Sequence, residues 1–337
     1  MAWHARASFA ANASARQTAL VTIPDSRLVD TLPPSLAPIA LFAYKRPGHL
    51  RRTLEALRRD PLFERSPVHV YCDGARAEAD LEAVEATRQV ARELATPSTR
   101  LVLREHNLGL RRSIVAGVGE LTEASGRVIV VEDDLIVGPQ FLGYMNAALE
   151  RYRDHDRVFQ VSGHMFPVSL QAGPGPVFLP FTTTWGWATW KRAWQHFDGT
   201  AAGMQRLQDD RRWRRRFDID GSYPYFRMLQ RQRAGEIDSW GILWYLSVFL
   251  RDGLVVFPRR SLVANEGFEG SGTHCTSSSG VTNTTVDWAE LSCAAMPEEV
   301  RVDDEAYERI RAYLAATGSV RSRLMRRVSG YLERARL

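Results

Sequence analysis

Three consecutive carboxylates, Glu132, Asp133 and Asp134, close a β-branched run, Val128-Ile129-Val130-Val131. A short apolar run of this kind is the pattern of a strand buried on both faces, as in a parallel sheet. Ligands of open α/β sheets bind outside the carboxyl ends of the strands, so carboxylates placed there can hold a hard cation. Mg²⁺ or Mn²⁺ bound through one or two carboxylates keeps its other positions for water and substrate phosphates. The expected chemistry is a metal–diphosphate site. In the competing reading Asp134 caps a following helix and its neighbours are solvated. The triplet alone does not choose between them.

Other polar groups fall at comparable places. Arg46 follows an apolar run at Ile39 to Tyr44, Asp73 follows Val68 to Cys72, and His106 with Asn107 follows Arg100 to Leu103. Each is ordinary turn chemistry by itself. Together they line one sheet edge with groups suited to a nucleotide or a metal. Further on, Glu236-Ile237-Asp238-Ser239-Trp240 precedes an apolar helical run. Asp238 can cap that helix or remove a proton from an attacking hydroxyl. Trp185, Trp187 and Trp190 form a dense group that can stack on a sugar or fill a core, the commoner role of clustered tryptophan. A Gly/Ser/Thr-rich stretch, Gly267 to Thr285, carries His274, which can face phosphates or simply lie at the surface.

The elements that must position these groups alternate. Strands at Ile39 to Tyr44, Val68 to Cys72, Arg100 to Leu103 and Val128 to Val131 are separated by helical patterns at Leu50 to Leu57, Glu78 to Leu94 and Ile114 to Leu121. This predicts an α/β fold with a doubly wound, mostly parallel sheet flanked by helices. After Val158 the rhythm breaks. A short strand, a Gly/Pro loop, the tryptophan segment, the basic stretch Arg211 to Arg216, a helix over Gly241 to Leu250 and a strand at Leu254 to Phe257 follow.

The chain has 337 residues, 45% of them hydrophobic, enough for a sizeable core. Its formal net charge of +5 favours anionic partners without choosing one. Cys72, Cys275 and Cys293 make neither a disulfide framework nor a zinc spacing. No stretch reaches the roughly 18 to 20 apolar residues of a membrane span, and the Ala/Arg-rich N-terminus lacks the apolar core of a secretory signal. A soluble, cytoplasmic protein is expected. Near the C-terminus Val320, Leu324, Val328 and Leu332 recur every four residues among arginines. That basic amphipathic helix is compatible with peripheral contact at the inner face of a membrane, or with packing on the protein itself. Nothing resembles a nucleic-acid module, and no nucleic-acid partner is expected.

With these residues assembled, the chain resembles GT-A fold glycosyltransferases. It is similar to bacterial sugar transferases of surface-polysaccharide pathways and, more distantly, to the N-acetylglucosaminyltransferase I family. The carrying segments are APIALFAYKRPGHLRRTLEAL, VHVYCDG, HNLGLRRSI, VIVVEDDLIVGPQFLGYMN, TTTWGWATWKRAW, DSWGILWYLSVF and NEGFEGSGTH. The resemblance implies an inverting transferase that uses a nucleotide-diphosphate sugar with Mn²⁺ or Mg²⁺ and a glycan or lipid-linked acceptor. Asp134 would be the metal ligand, with Glu132 and Asp133 on the donor sugar and ribose. Arg46 would meet the nucleotide or its phosphates and Asp73 its base. Asn107, Trp187 and His274 would complete the donor site, His274 in a donor-closing segment. Asp238 best matches the base. The related pattern has two adjacent acids before the tryptophan where this chain has Asp238-Ser239, so Glu236 is the fallback.

The implied organisation is a tail over 1–36, a nucleotide-sugar-binding half over 37–160, an acceptor half of the same domain over 161–290 and a helical extension over 291–337. A sugar-1-phosphate nucleotidyltransferase is the rival enzyme. It would require a Gly-rich basic loop after the first strand, where this chain has only Lys45-Arg46-Pro47-Gly48. A non-catalytic membrane-surface or glycan-binding protein is the other alternative.

Overall fold

A computed structural model describes residues 35–171, 173, 175–267 and 296–318. Strands β1 (Ile39–Ala43), β2 (Val68–Cys72), β3 (Thr99–Leu103) and β4 (Arg127–Glu132) are mutually parallel. Helices α1 (Pro47–Leu57), α2 (Leu81–Glu93) and α3 (Leu110–Ser125) connect them. Pro47 opens α1, where its missing N–H costs nothing, and Gly126 closes α3 in the left-handed conformation. The apolar spacing noted in the sequence becomes packing. Leu50, Leu54 and Leu57 of α1 join Leu41, Val70 and Val131 in one core. Ile114, Val118 and Leu121 of α3 join Ala40, Phe42 and Val130 in another. Alternate strand residues therefore serve opposite faces, and the sheet is covered on both.

Beyond β4 come β5 (Leu135–Val137), α4 (Phe141–Arg151), β6 (Val158–Ser162), β7 (Val177–Leu179), β8 (Trp187–Trp190) and α5 (Lys191–Trp194). A helical layer follows: α6 (Met204–Asp209), α7 (Arg211–Phe217), α8 (Tyr225–Arg233) and α9 (Trp240–Phe249). Then come β9 (Leu254–Phe257), β10 (Val263–Asn265) and α10 (Asp304–Gly318). The main sheet has the order β3-β2-β1-β4-β8-β6-β9-β7, and β10 pairs with β5 apart from it. Four of its seven pairings are parallel, the antiparallel ones all involving β8 or β7. The fold is α/β with a large, mostly parallel sheet between helices, as expected. A third core gathers Leu207, Phe217, Leu229, Leu246, Phe257 and Ile310, so one face of α10 packs against the rest of the molecule. No helix among the described residues is long and apolar enough to cross a membrane.

The structure departs from the sequence reading at four short strands. The tryptophan segment is β8, antiparallel to β4 and β6 in mid-sheet. β5, β7 and β10 are three residues each, too short to display a period. β5 also removes the helix-cap reading of Asp134, since a strand follows it directly. Asp238 caps no helix either; Ser239 occupies that position before α9, without a side-chain cap bond.

Candidate active site

The strand order places β1 between β2 and β4, so the chain leaves β1 toward one side and later returns on the other. The carboxyl ends of β1 and β4 thus form a topological switch point, the usual ligand crevice of such sheets. Arg46 follows β1 and the carboxylates follow β4. Both loops are pinned: Asp133 N–H donates to Phe42 O at 3.0 Å, and Thr53 Oγ1 of α1 donates to Asp133 O at 2.8 Å.

There Arg46 joins two members of the triplet. Its Nη1 donates to Asp134 Oδ2 at 3.0 Å, and its Nη2 bonds Asp133 Oδ1 in a very short contact. Three carboxylates face one guanidinium, and the imbalance is visible in their protonation. Burial, then the charges of Asp134 and Asp133, push Glu132 up to about 8. Burial likewise raises Asp133 to about 6, against the pull of Arg46.

Among the described residues no three His, Cys, Asp or Glu side chains stand close enough to enclose a metal ion. Asp134 could still contribute one ligand to a hard cation. Asp134 retains one oxygen, Oδ1, with no partner among the described residues, and the under-neutralised cluster favours added positive charge. Such an ion would fill its remaining positions with water or ligand oxygens.

Among the neighbours, Glu266 and Gly267 entered the sequence reading only as part of the segment NEGFEGSGTH, while Arg52 and His49 were not singled out. Glu266 N–H donates to Asp134 O at 2.9 Å, while its carboxylate takes Arg52 Nε of α1 at 2.5 Å. The root of the Gly-rich stretch is thereby stapled onto the triplet. At Gly267 a β-carbon would overlap Asp134 Oδ2, so a larger residue there would displace that carboxylate. His49, also on α1, has a buried Nε2 without a hydrogen-bond partner. Burial and the charges of Arg46 and Arg52 hold its imidazole below the ordinary range. Of this cluster Arg46, the triplet and the glycine-rich segment were legible; His49 and Arg52 lie in the pattern of α1, which carries no local mark. His274 lies outside the described residues.

Asp73 and Asn107 stand on the same edge but are engaged by the protein. Asp73 is buried; its Oδ1 accepts from Gly74 N (3.0 Å) and Leu108 N (2.9 Å), and its Oδ2 from Gly109 N (2.9 Å). Asn107 Nδ2 donates to Gly74 O at 2.8 Å. Asp73, expected at the nucleotide base, braces the β3–α3 loop and the start of α3 in this structure. Asp73→Asn should therefore cost about 1–3 kcal/mol of stability, since an amide cannot accept all three N–H groups. Urea denaturation would measure it; a variant as stable as the parent would remove the brace.

Trp187, expected in the donor site, belongs to an aromatic cluster. It is fully buried, with ring centroids 5.2 Å from Trp240, 5.7 Å from Trp194 and 6.4 Å from Trp244. Of the tryptophan group, Trp185 is the partly buried member, edge-on to His164 at 4.6 Å.

The braced start of α3 reaches the second acidic group. Arg111 Nε of α3 lies 2.6 Å from Asp238 Oδ1, close enough for an ion pair though not aligned as a hydrogen bond. Asp238 remains half exposed, its side chain 51% accessible. It lines a cavity of about 640 Å³ together with Arg111, Thr200, Gln232, Arg233 and Glu236. Glu236 pairs with Arg231 at 3.1 Å. Both base candidates thus open on one cavity, tied to the carboxyl edge through Arg111.

No protein-family model matches this sequence, and no curated protein matches it. Partial likenesses are found among solved structures. GalNAc-T7, solved with UDP, GalNAc and Mn²⁺, is 10% identical, with 69% of this chain and 44% of that one covered and a TM-score of 0.43. TarS of S. aureus is 11% identical, over 66% and 35%, with a TM-score of 0.33. The mannosyltransferase PcManGT of Pyrobaculum calidifontis, in complex with GDP-Man and Mn²⁺, is 14% identical, over 38% and 35%, with a TM-score of 0.27. The chain spans less than half the length of each of these three.

Proposed function

We propose that the protein is a metal-dependent inverting glycosyltransferase that moves a sugar from a nucleotide-diphosphate donor to an acceptor hydroxyl. The observation that carries this reading is the meeting of Arg46, Asp133 and Asp134 at the β1/β4 switch point. Arg46 faces the nucleotide or its phosphates, Glu132 and Asp133 the donor sugar and ribose, and Asp134 holds Mn²⁺ or Mg²⁺. When bound, the cation offsets charge on the departing diphosphate. Asp238, oriented by Arg111, takes the proton of the attacking hydroxyl, and its exposure leaves it open to an acceptor in the cavity. Displacement from the face opposite the diphosphate inverts the anomeric centre.

A screen of nucleotide sugars for hydrolysis or transfer, with and without Mn²⁺, tests the assignment. Pyrophosphate release from a nucleoside triphosphate and a sugar-1-phosphate would replace it with the nucleotidyltransferase. Within the transferase reading, Asp238→Asn should keep donor binding while turnover falls about a hundredfold, the scale of general-base contributions. If instead Glu236→Gln shows that loss and Asp238→Asn does not, Glu236 is the base.

A further inference from the structure

The arginine-rich segment has no part in the donor site, yet the fold gives it a position. Residues 204–236 contain nine arginines and five carboxylates, so four of the chain's formal +5 charges lie here. Helices α6, α7 and α8 carry them side by side. The Arg206 guanidinium covers the Trp213 ring at 3.2 Å from its centroid, and Arg214 lies over Phe226 at 5.4 Å. Two arginines are neutralised, Arg216 by Asp252 and Arg231 by Glu236. Arg206, Arg211, Arg212, Arg215, Arg227 and Arg233 are exposed and form no ion pair among the described residues. A surface with this excess of positive charge attracts and steers anions. The patch also leads somewhere. Arg233, the last residue of α8, lines the same cavity as Glu236 and Asp238.

We propose that the acceptor is a polyanionic saccharide, bearing carboxylate, phosphate or sulfate groups, whose reacting end enters the cavity while its charged groups lie along α7 and α8. This rests on the glycosyltransferase reading and names its acceptor class. A bilayer is the other extended anion. On this face, however, Tyr223 is the one exposed large apolar side chain among the described residues. Interfacial binding uses a whole apolar face, which is missing here.

The 337-residue chain is titrated with a fluorescent oligogalacturonate, a neutral dextran oligomer of equal length and phosphatidylglycerol vesicles. Binding of UDP and GDP with Mn²⁺ is measured in parallel. The oligogalacturonate is expected to bind, more weakly as salt rises, and the dextran not to. Arg211→Glu/Arg212→Glu/Arg215→Glu should weaken that binding about tenfold or more, because three exposed attractions become repulsions. Arg233→Glu should weaken it as well, and nucleotide binding should be unchanged in the triple variant. Equal affinity in the triple variant overturns the proposal. So does an Arg233→Glu protein that binds like the parent, since the chain would then not reach the cavity. Binding to vesicles but not to oligogalacturonate assigns the patch to a membrane instead. Failure of the parent protein to bind either nucleotide strikes the donor reading, independently of the polyanion result.

Discussion

Asp134→Ala is expected to abolish metal-dependent transfer, by roughly a thousandfold or more, while the protein stays folded. Its carboxylate is the group at the switch point best placed to face a ligand. Oδ2 meets Arg46 at 3.0 Å, Oδ1 has no partner among the described residues, and the side chain keeps 15% of its surface open. Little stability depends on it. Arg46 retains Asp133, and removing one of three crowded carboxylates relieves the repulsion that raises Glu132. The thermal midpoint should therefore move by no more than a few degrees, or upward, while Mn²⁺-dependent nucleotide binding weakens. Transfer assays with and without chelator, with calorimetric titration of Mn²⁺ and nucleotide, would check this. Near-normal turnover that still needs Mn²⁺ would sink the metal assignment.

Trp187→Ala is expected to cost about 3–5 kcal/mol of stability, the range for deleting a large buried aromatic. The ring sits on β8 between β4 and β6 and against Trp194, Trp240 and Trp244, so its loss opens a cavity at the centre of the sheet. Trp187→Phe should cost less. The indole N–H is buried without a partner, so that change removes an unsatisfied group along with some contact area. Denaturant midpoints of the two variants would check the order. A stable Trp187→Ala protein with selectively weakened donor binding would return this residue to the donor site.

Much of the first half was legible because its signals are local. Val68 to Cys72 was read as a strand and is β2, since a β-branched and aromatic run between turn residues marks one. The second half was harder. β7 and β10 have three residues each, and a tryptophan cluster suits a strand as well as a loop. Arg46, Asp133 and Asp134 were legible for a topological reason: parallel strands joined by helices bring their carboxyl ends to one edge.

The sequence by itself determined which polar groups stand along that edge, because strand ends and crossover helices follow from apolar patterning. Only the tertiary structure decided what each group does there. Arg46 and Asp134 are 88 positions apart, and their pairing depends on β1 lying beside β4. The same packing gave Asp73 to the backbone of the β3–α3 loop, set Arg111 against Asp238, and pressed Gly267 onto Asp134. These contacts join distant segments, and a side chain's chemistry is settled by the neighbours that burial and backbone geometry bring to it.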